Sequence, residues 1–231
     1  MKRTIVWFKT DLRLSDNETL VRAIEQSDEI IPIYCFDESH FKTNEFGFKK
    51  TGNFRANFLI ESIADLDTNL RAIGSGLVIV NGKPEVELVE LVKKYEVQRV
   101  FAKKEVAFEE IQTQGLVEKE LWKVHCSLET YSTSTLYHAE DLPFSLKYIP
   151  DVFTNFRKQV EKESTIRKVF AKPKAIKSPP IEQYKLPSME DLDFEKPKLD
   201  LRSAFSFKGG ETEGNKRLNA YFFKTKAISS Y

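Results

Sequence analysis

The sequence predicts an α/β fold: a five-stranded parallel sheet with helices on both faces, followed by a linker and the start of an α-helical domain. Three observations carry that expectation. Apolar runs of strand length alternate with helix-length periodic segments through residues 1–131, the pattern of a sheet covered on both sides. The opening run Ile5-Val6-Trp7-Phe8 leads through a charged turn, Asp11-Leu12-Arg13, into a helix start, so polar groups stand at a strand's carboxyl end, where open α/β sheets bind ligands. A Pro-rich stretch, Lys172 to about Phe205, then separates this Rossmann-like unit from a last periodic segment.

The first strand is expected over Thr4–Phe8, and Ser15 with Glu18 has the spacing of a capping box opening a helix over Asn17–Gln26. A second strand, Glu29–Phe36, precedes a long helix, Asn53–Ile73, whose Phe54, Phe58, Ile63, Leu66 and Leu70 share one face. Gly74 and Gly76 end it, being residues that reach positive φ easily. Strand Leu77–Asn81, helix Glu85–Tyr95, strand Arg99–Lys103, helix Phe108–Lys123 and strand Ser127–Tyr131 complete the unit. Beyond it, Ser132 to Thr135 reads as loop, Pro143 and Pro150 exclude regular structure nearby, and a short helix fits Val152–Lys162. The linker, with Pro173, Pro179, Pro180, Pro187 and Pro197, should lie over the surface, and a last helix should start near Gly209-Gly210-Glu211-Thr212.

Composition bounds the function. With 41% hydrophobic and 31% charged residues, the 231-residue chain is an ordinary globular one. Its early apolar run is too short for a signal-peptide core or a spanning helix, so a cytoplasmic location and no membrane contact are expected. Cys35 and Cys126 form no zinc spacing, and the histidines, His40, His125 and His138, are scattered; no metal site is indicated. The net charge of +1 does not announce nucleic-acid binding, although Lys147–Lys185 holds ten Lys/Arg against four Asp/Glu.

Candidate functional residues follow from position. Asp11 and Arg13 either pair locally, which on a surface contributes about 0–1 kcal/mol, or form the crevice edge and dock a second domain. Lys83, beside a helix N-terminus, could hold an anion. Neither G-x-x-x-x-G-K-(S/T) nor G-x-G-x-x-G is present, which disfavours a nucleoside triphosphatase or a dinucleotide dehydrogenase. Glu105, Glu109 and Glu110 follow the fourth strand at the ligand-facing end. They either complement a helix dipole, worth about 0.3–1 kcal/mol, or offer a carboxylate to the N–H donors of a pterin-like heterocycle.

The run Ile5 to Asn17 resembles the N-terminal signature of the photolyase/cryptochrome flavoproteins, with Lys9 as a mild departure. Gly52 through Leu66, Gly82-Lys83-Pro84-Glu85, Ser134 to His138, Asp141 to Phe144 and Phe153 to Lys158 are similar to the DASH cryptochromes, and Gly209 to Phe222 looks like the first helix of their flavin domain. Ser132-Thr133 and Gly214-Asn215 depart from the pattern, and the glycine predicts a frayed start to the last helix. The resemblance implies an α/β antenna domain over 1–131, an interdomain loop and linker over 132–205, and the beginning of an FAD-binding helical domain over 206–231. It implies light-driven electron transfer from reduced FAD to cyclobutane pyrimidine dimers, preferably in single-stranded DNA, with 5,10-methenyltetrahydrofolate as antenna. By the same resemblance Tyr231 borders FAD, and Glu105, Glu109, Phe36 and Asp37 are assigned to the antenna pterin. No catalytic residue falls within the chain, which is expected to be a monomer, to act on damaged or single-stranded DNA only with the remaining FAD domain, and to retain no FAD alone. The alternatives are a blue-light photoreceptor and a nucleotide-type α/β module that docks a separate helical partner.

Overall fold

The computed structural model describes residues 1–198, 202, 208–225 and 227–230. Five parallel strands, β1 (Arg3–Phe8), β2 (Glu29–Asp37), β3 (Val78–Gly82), β4 (Arg99–Lys103) and β5 (Ser127–Tyr131), lie in the order β3-β2-β1-β4-β5. The helices are α1 (Glu18–Gln26), α2 (Asn53–Arg71), α3 (Pro84–Tyr95), α4 (Phe108–Lys123), α5 (Phe153–Glu163) and α6 (Glu211–Asn219). β1 is central: Ile5 pairs in register with Ile31 of β2 and Val100 of β4.

Alternation along the strands divides the core. Val6, Phe8, Ile30, Tyr34, Phe36 and Phe101 pack with α1 and α2 on one face, whereas Ile5, Trp7, Ile31, Ile33, Val100 and Ala102 pack with α3 and α4 on the other. Burial on both faces is why these strands read as continuous apolar runs. Strand order reverses at β1, so the carboxyl ends of β1 and β4 leave a crevice between their diverging connections.

Five local expectations are corrected. Asn17, not Ser15, caps α1: its side chain accepts the Leu20 N–H at 3.1 Å, while Glu18 pairs with Arg22. Asp16 at φ 49° reverses the chain between Ser15 and the helix, which leaves the Ser15 hydroxyl outside capping position. In α2, Ile63, Leu66 and Leu70 are buried as expected, but Phe54 and Phe58 are 68% and 49% exposed, because the first two turns overhang the sheet's carboxyl edge. Gly74, at φ 92°, supplies the left-handed turn after that helix, and Gly76 does not. The linker is no loose surface segment. Ile176 donates its N–H to Ile73 O at 2.8 Å, and Lys177 O accepts the Ile30 N–H at 2.9 Å. Ile176, Met189, Leu192 and Phe194 are then buried in the α1/α2 side of the core, which fastens residues 176–194 to the domain as a strap. Finally, α6 runs unbroken through Gly214-Asn215, with the Gly214 N–H bonded to Gly210 O at 3.0 Å, and is not frayed there.

Candidate functional site

A cavity of about 260 Å³ opens at the carboxyl ends of β1, β2 and β4. Trp7, Lys9 and Thr10 come from the end of β1, Tyr34 and Asp37 from β2, Arg55 and Phe58 from the overhanging turns of α2, and Glu105 and Glu110 from beyond β4. The exposed Phe58 thus has a structural use that helical periodicity alone does not reveal.

The floor of the cavity is a charge cluster. The Lys9 ammonium is 4.9 Å from the Trp7 ring centroid and 3.8 Å from Glu105 Oε1, and its Nζ makes no hydrogen bond. Burial lowers the Lys9 pKa from its ordinary value, with Glu105 and Asp11 acting in the opposite direction. Lys103 Nζ lies 3.8 Å from the other Glu105 oxygen and donates to Thr10 Oγ1 at 2.6 Å. Glu105 is therefore flanked by two ammonium groups, yet its nearest hydrogen-bond contact, from Thr10, is 3.4 Å. That leaves its lone pairs able to accept from a donor-rich ring. A ligand in this cavity would meet an aromatic wall, one cation lacking an acceptor and a carboxylate lacking short donors.

The antenna residues named from sequence are not all brought together. Glu105 and Asp37 line the cavity, and Asp37 also accepts the Ser39 N–H at 2.8 Å. Phe36 does not reach it: the ring is fully buried, covered by Tyr34 and Phe41, which line the cavity themselves. Glu109 points instead to Lys50, whose ammonium holds that carboxyl below its usual range, and this pair links the loop after β2 to the start of α4. Tyr231 lies outside the described residues. Trp7, Lys9, Thr10, Arg55 and Phe58 are lining residues the sequence reading missed; only their nearness to strand and helix ends on the ligand side could have marked them.

A second constellation explains the Asp-Leu-Arg turn. Asp11 and Arg13 do not pair. Asp11, 3% exposed, accepts the Lys9 N–H at 3.0 Å, and Arg13 donates to Ser15 O and Asp16 O at 3.1 and 2.9 Å. The turn so held presents the Leu14 and Ser15 amides to the two carboxylate oxygens of Glu211 on α6, each at 2.9 Å. Glu61 on α2 accepts the Gly209 N–H at 2.7 Å, and Asp65 accepts the Thr212 N–H at 3.0 Å. Asp65 thereby supplies the N-terminal cap that Gly210, without a side chain, cannot. Gly209 is required by the fit: a Cβ there would stand 2.2 Å from Phe58 O.

In the basic segment, Arg157, Lys162, Arg167 and Lys185 each pair with a carboxylate, which reduces the charge free to meet a polyanion. Lys83 is exposed immediately before α3. Among the described residues there is no group of three or more His, Cys, Asp or Glu that could hold a metal ion, and no helix is long and apolar enough to cross a membrane.

Residues 4–179 match the family model described as DNA photolyase. The chain belongs to the DNA photolyase family. Within the family it is similar to the cryptochrome DASH of Gloeobacter violaceus, at 38% identity over all of this chain and 46% of that protein. It is also 42% identical to the cryptochrome DASH of Danio rerio, over 99% of this chain and 45% of that protein. Among solved photolyase-family structures, the Synechocystis cryptochrome superposes with a TM-score of 0.93 at 36% identity, over 100% of this chain and 48% of that one. The chain thus spans about half the length of the curated relatives it matches.

Proposed function

We propose that this chain is the antenna-carrying and docking part of a DASH-type blue-light flavoprotein and acts together with a helical FAD domain. The observation that carries this reading is the switch-point cavity with α6 docked beside it: Gly209 lies against Phe58 O, and Phe58 itself lines the cavity. The cavity is smaller than the roughly 300–1,000 Å³ of sites for drug-sized ligands, so it takes a ring system and leaves a tail outside. Its residues fit a pterin ring: Glu105 and Asp37 would accept from the ring's N–H groups, Lys9 would donate to its carbonyl, and Trp7 and Phe58 would exclude water. When bound, 5,10-methenyltetrahydrofolate supplies blue-light absorption. Glu109 and Lys50 would hold the rim, and Phe36 would act only by supporting Tyr34.

In the whole protein the reaction would be electron transfer from reduced FAD to a pyrimidine dimer, preferably in single-stranded DNA, where flipping the lesion costs less. This chain's share would be to position the antenna and seat the flavin domain. Titration of the purified chain with 5,10-methenyltetrahydrofolate and, separately, with FAD tests the reading by equilibrium dialysis and fluorescence. Folate should be retained and weakened about tenfold or more in Glu105→Gln, while FAD is not retained. Stoichiometric flavin in the purified chain, or folate binding unchanged in Glu105→Gln, would overturn it.

A second reading, a signalling module that docks a separate helical partner, is favoured by one surface. Tyr148, Val152 and Phe153 are 71%, 57% and 71% exposed, and of the face expected to seat α5 only Val160 is buried. Photoreception without DNA repair would use that same surface.

A further inference from the structure

We propose that the hairpin between β2 and α2 is a gate over the switch-point cavity, latched shut by the ion pair of Lys50 with Glu109 and hinged on the strap of residues 176–194. The inference rests on the reading of that cavity as a ligand site and says how a ligand is admitted to it. The hairpin is built to move as one piece. Thr43 and Lys49 form an antiparallel bridge, Asn44 donates its N–H to Phe48 O at 2.8 Å, and the Asn44 side chain accepts the Phe46 and Phe48 amides at 3.0 Å each. Gly47, at φ 81°, turns the tip. Thr51, 4% exposed, donates to His40 O at 2.7 Å and closes the base.

The base of the hairpin is cavity wall, whereas its arm is no part of the core. His40, Phe41 and Thr51 line the cavity from this side, and Glu110 and Thr113 of α4 line it from the other. Lys50 and Glu109, each one residue from a lining residue, therefore join the two walls past the carboxyl end of β1. Residues 42–50 are all exposed, Phe46 and Phe48 by 74% and 70%, so no apolar burial holds the arm down. Among the described residues, two consecutive lysines tie the arm to other elements. Successive side chains of extended backbone point to opposite sides, and these two do. Lys49 donates to Asp193 Oδ2 at 2.5 Å and lies 4.4 Å from the Phe194 ring centroid, while Lys50 reaches Glu109.

The two ties are unequal. On the Lys49 side Phe194 is 5% exposed and its ring centroid lies 6.2 Å from that of Phe41 at the hairpin base, so this flank is fixed to the core. On the other side the tie is the Lys50–Glu109 pair, whose side chains are 39% and 60% exposed. An exposed ion pair contributes little and is screened by salt. Opening therefore breaks the Lys50–Glu109 pair first and swings the hairpin about the strap, away from α4. Closure puts His40 and Thr51 back into the wall and shields Trp7 and Lys9 from solvent.

Acrylamide quenching of Trp7 fluorescence in the ligand-free chain tests the gate. Trp7 lines the cavity and is 4% exposed, and Trp122→Phe removes the emission of the one other tryptophan, itself 79% exposed. In that background the quenching constant should rise about two- to five-fold as salt is raised from about 0.02 to 0.5 M, the range that loss of one exposed ion pair allows. Lys50→Met should be open by a similar factor at every salt concentration. Exchanging the charges, Lys50→Glu with Glu109→Lys, should restore both closure and the salt response. Both positions are exposed, so an unchanged thermal midpoint separates opening from unfolding. Quenching indifferent to both salt and Lys50→Met, or a charge exchange that stays open, would overturn the proposal. Because no folate is present, a chain that admits acrylamide as expected yet takes up no 5,10-methenyltetrahydrofolate removes the pterin reading and leaves the gate in place.

Discussion

Replacing Glu211 by Gln should release α6 from the α/β domain without unfolding that domain. The carboxylate accepts two successive backbone amides, Leu14 and Ser15, at 2.9 Å each. Hydrogen bonds to a charged group contribute about 1.5–3 kcal/mol apiece, and the site is partly buried, so the lower half of that range applies. A glutamine keeps one acceptor and turns an NH2 toward the second amide. The loss is then one charge-assisted bond, the weakening of the other and one N–H facing another, about 2–3 kcal/mol in all, or roughly a 30- to 150-fold rise in the undocked population. Gly209 and Thr212 retain their bonds to Glu61 and Asp65, so the release is a rise in local opening. Native-state hydrogen exchange reads it directly: the Leu14 and Ser15 amides and the first turn of α6 should exchange faster by that factor, while strand amides of β1 and β2 do not change. Glu213→Gln, which disturbs only the exposed pair with Lys216, is the control. Exchange at Leu14 and Ser15 that is the same in Glu211→Gln as in the native chain would refute the assignment of Glu211 as the docking anchor.

Other consequences follow from the core and the cavity. Phe194→Ala should cost about 3 kcal/mol, the lower end for a buried phenylalanine, and lower the thermal midpoint by roughly 6–12 °C; a change under about 0.5 kcal/mol would mean that the strap does not belong to the core. Lys9 has a folded-state pKa lowered by burial from 10.5. Between the lowered value and 10.5 the unfolded chain binds the extra proton, so stability rises with pH across that window. The midpoint of the native chain minus that of Lys9→Met should therefore grow as pH is raised from about 8 toward 10.5, and a flat difference would refute the burial of that charge. Burial pushes the Cys126 thiol up to about 12 and raises Cys35 as well. Neither should alkylate with iodoacetamide near pH 8 until the chain is unfolded, because the thiolate is the reactive form; rapid labelling of either in the native chain contradicts the packing.

The sheet was legible because its three central strands, β1, β2 and β4, are buried on two faces: runs such as Ile30 to Phe36 have no other stable use in a chain of this composition. Helix ends were legible where the signal is local, as at Pro84 or Gly74. What escaped the sequence is non-local. Ile176, Met189, Leu192 and Phe194 are single apolar residues among prolines and charges, with no period, and only the folded surface decides that each finds a socket. Ser15 and Glu18 had the right spacing for a cap, but the Asn17 side chain, bonded to both Asp11 O and Arg13 O, closes the turn first. Phe36 was named because it ends a strand on the ligand side; the alternation that buries it, and the two rings that cover it, are properties of the assembled core. Of the cavity's lining the sequence named Asp37, Glu105 and Glu110 but not Lys9 or Arg55, since these meet Glu105 only once β1, α2 and β4 are side by side.

The cap of α6 sets an order of events. Its first turn has no acceptor of its own at Gly210, and the carboxylate that completes it, Asp65, is on a helix made more than a hundred residues earlier in synthesis. Domains emerging from the ribosome fold from the N-terminal side, and a short helix pays its nucleation cost before it gains from propagation. On this chain that cost falls on a template: α2 is already in place when Gly209 and Gly210 arrive, and the start of the next helix is selected by a surface finished before it.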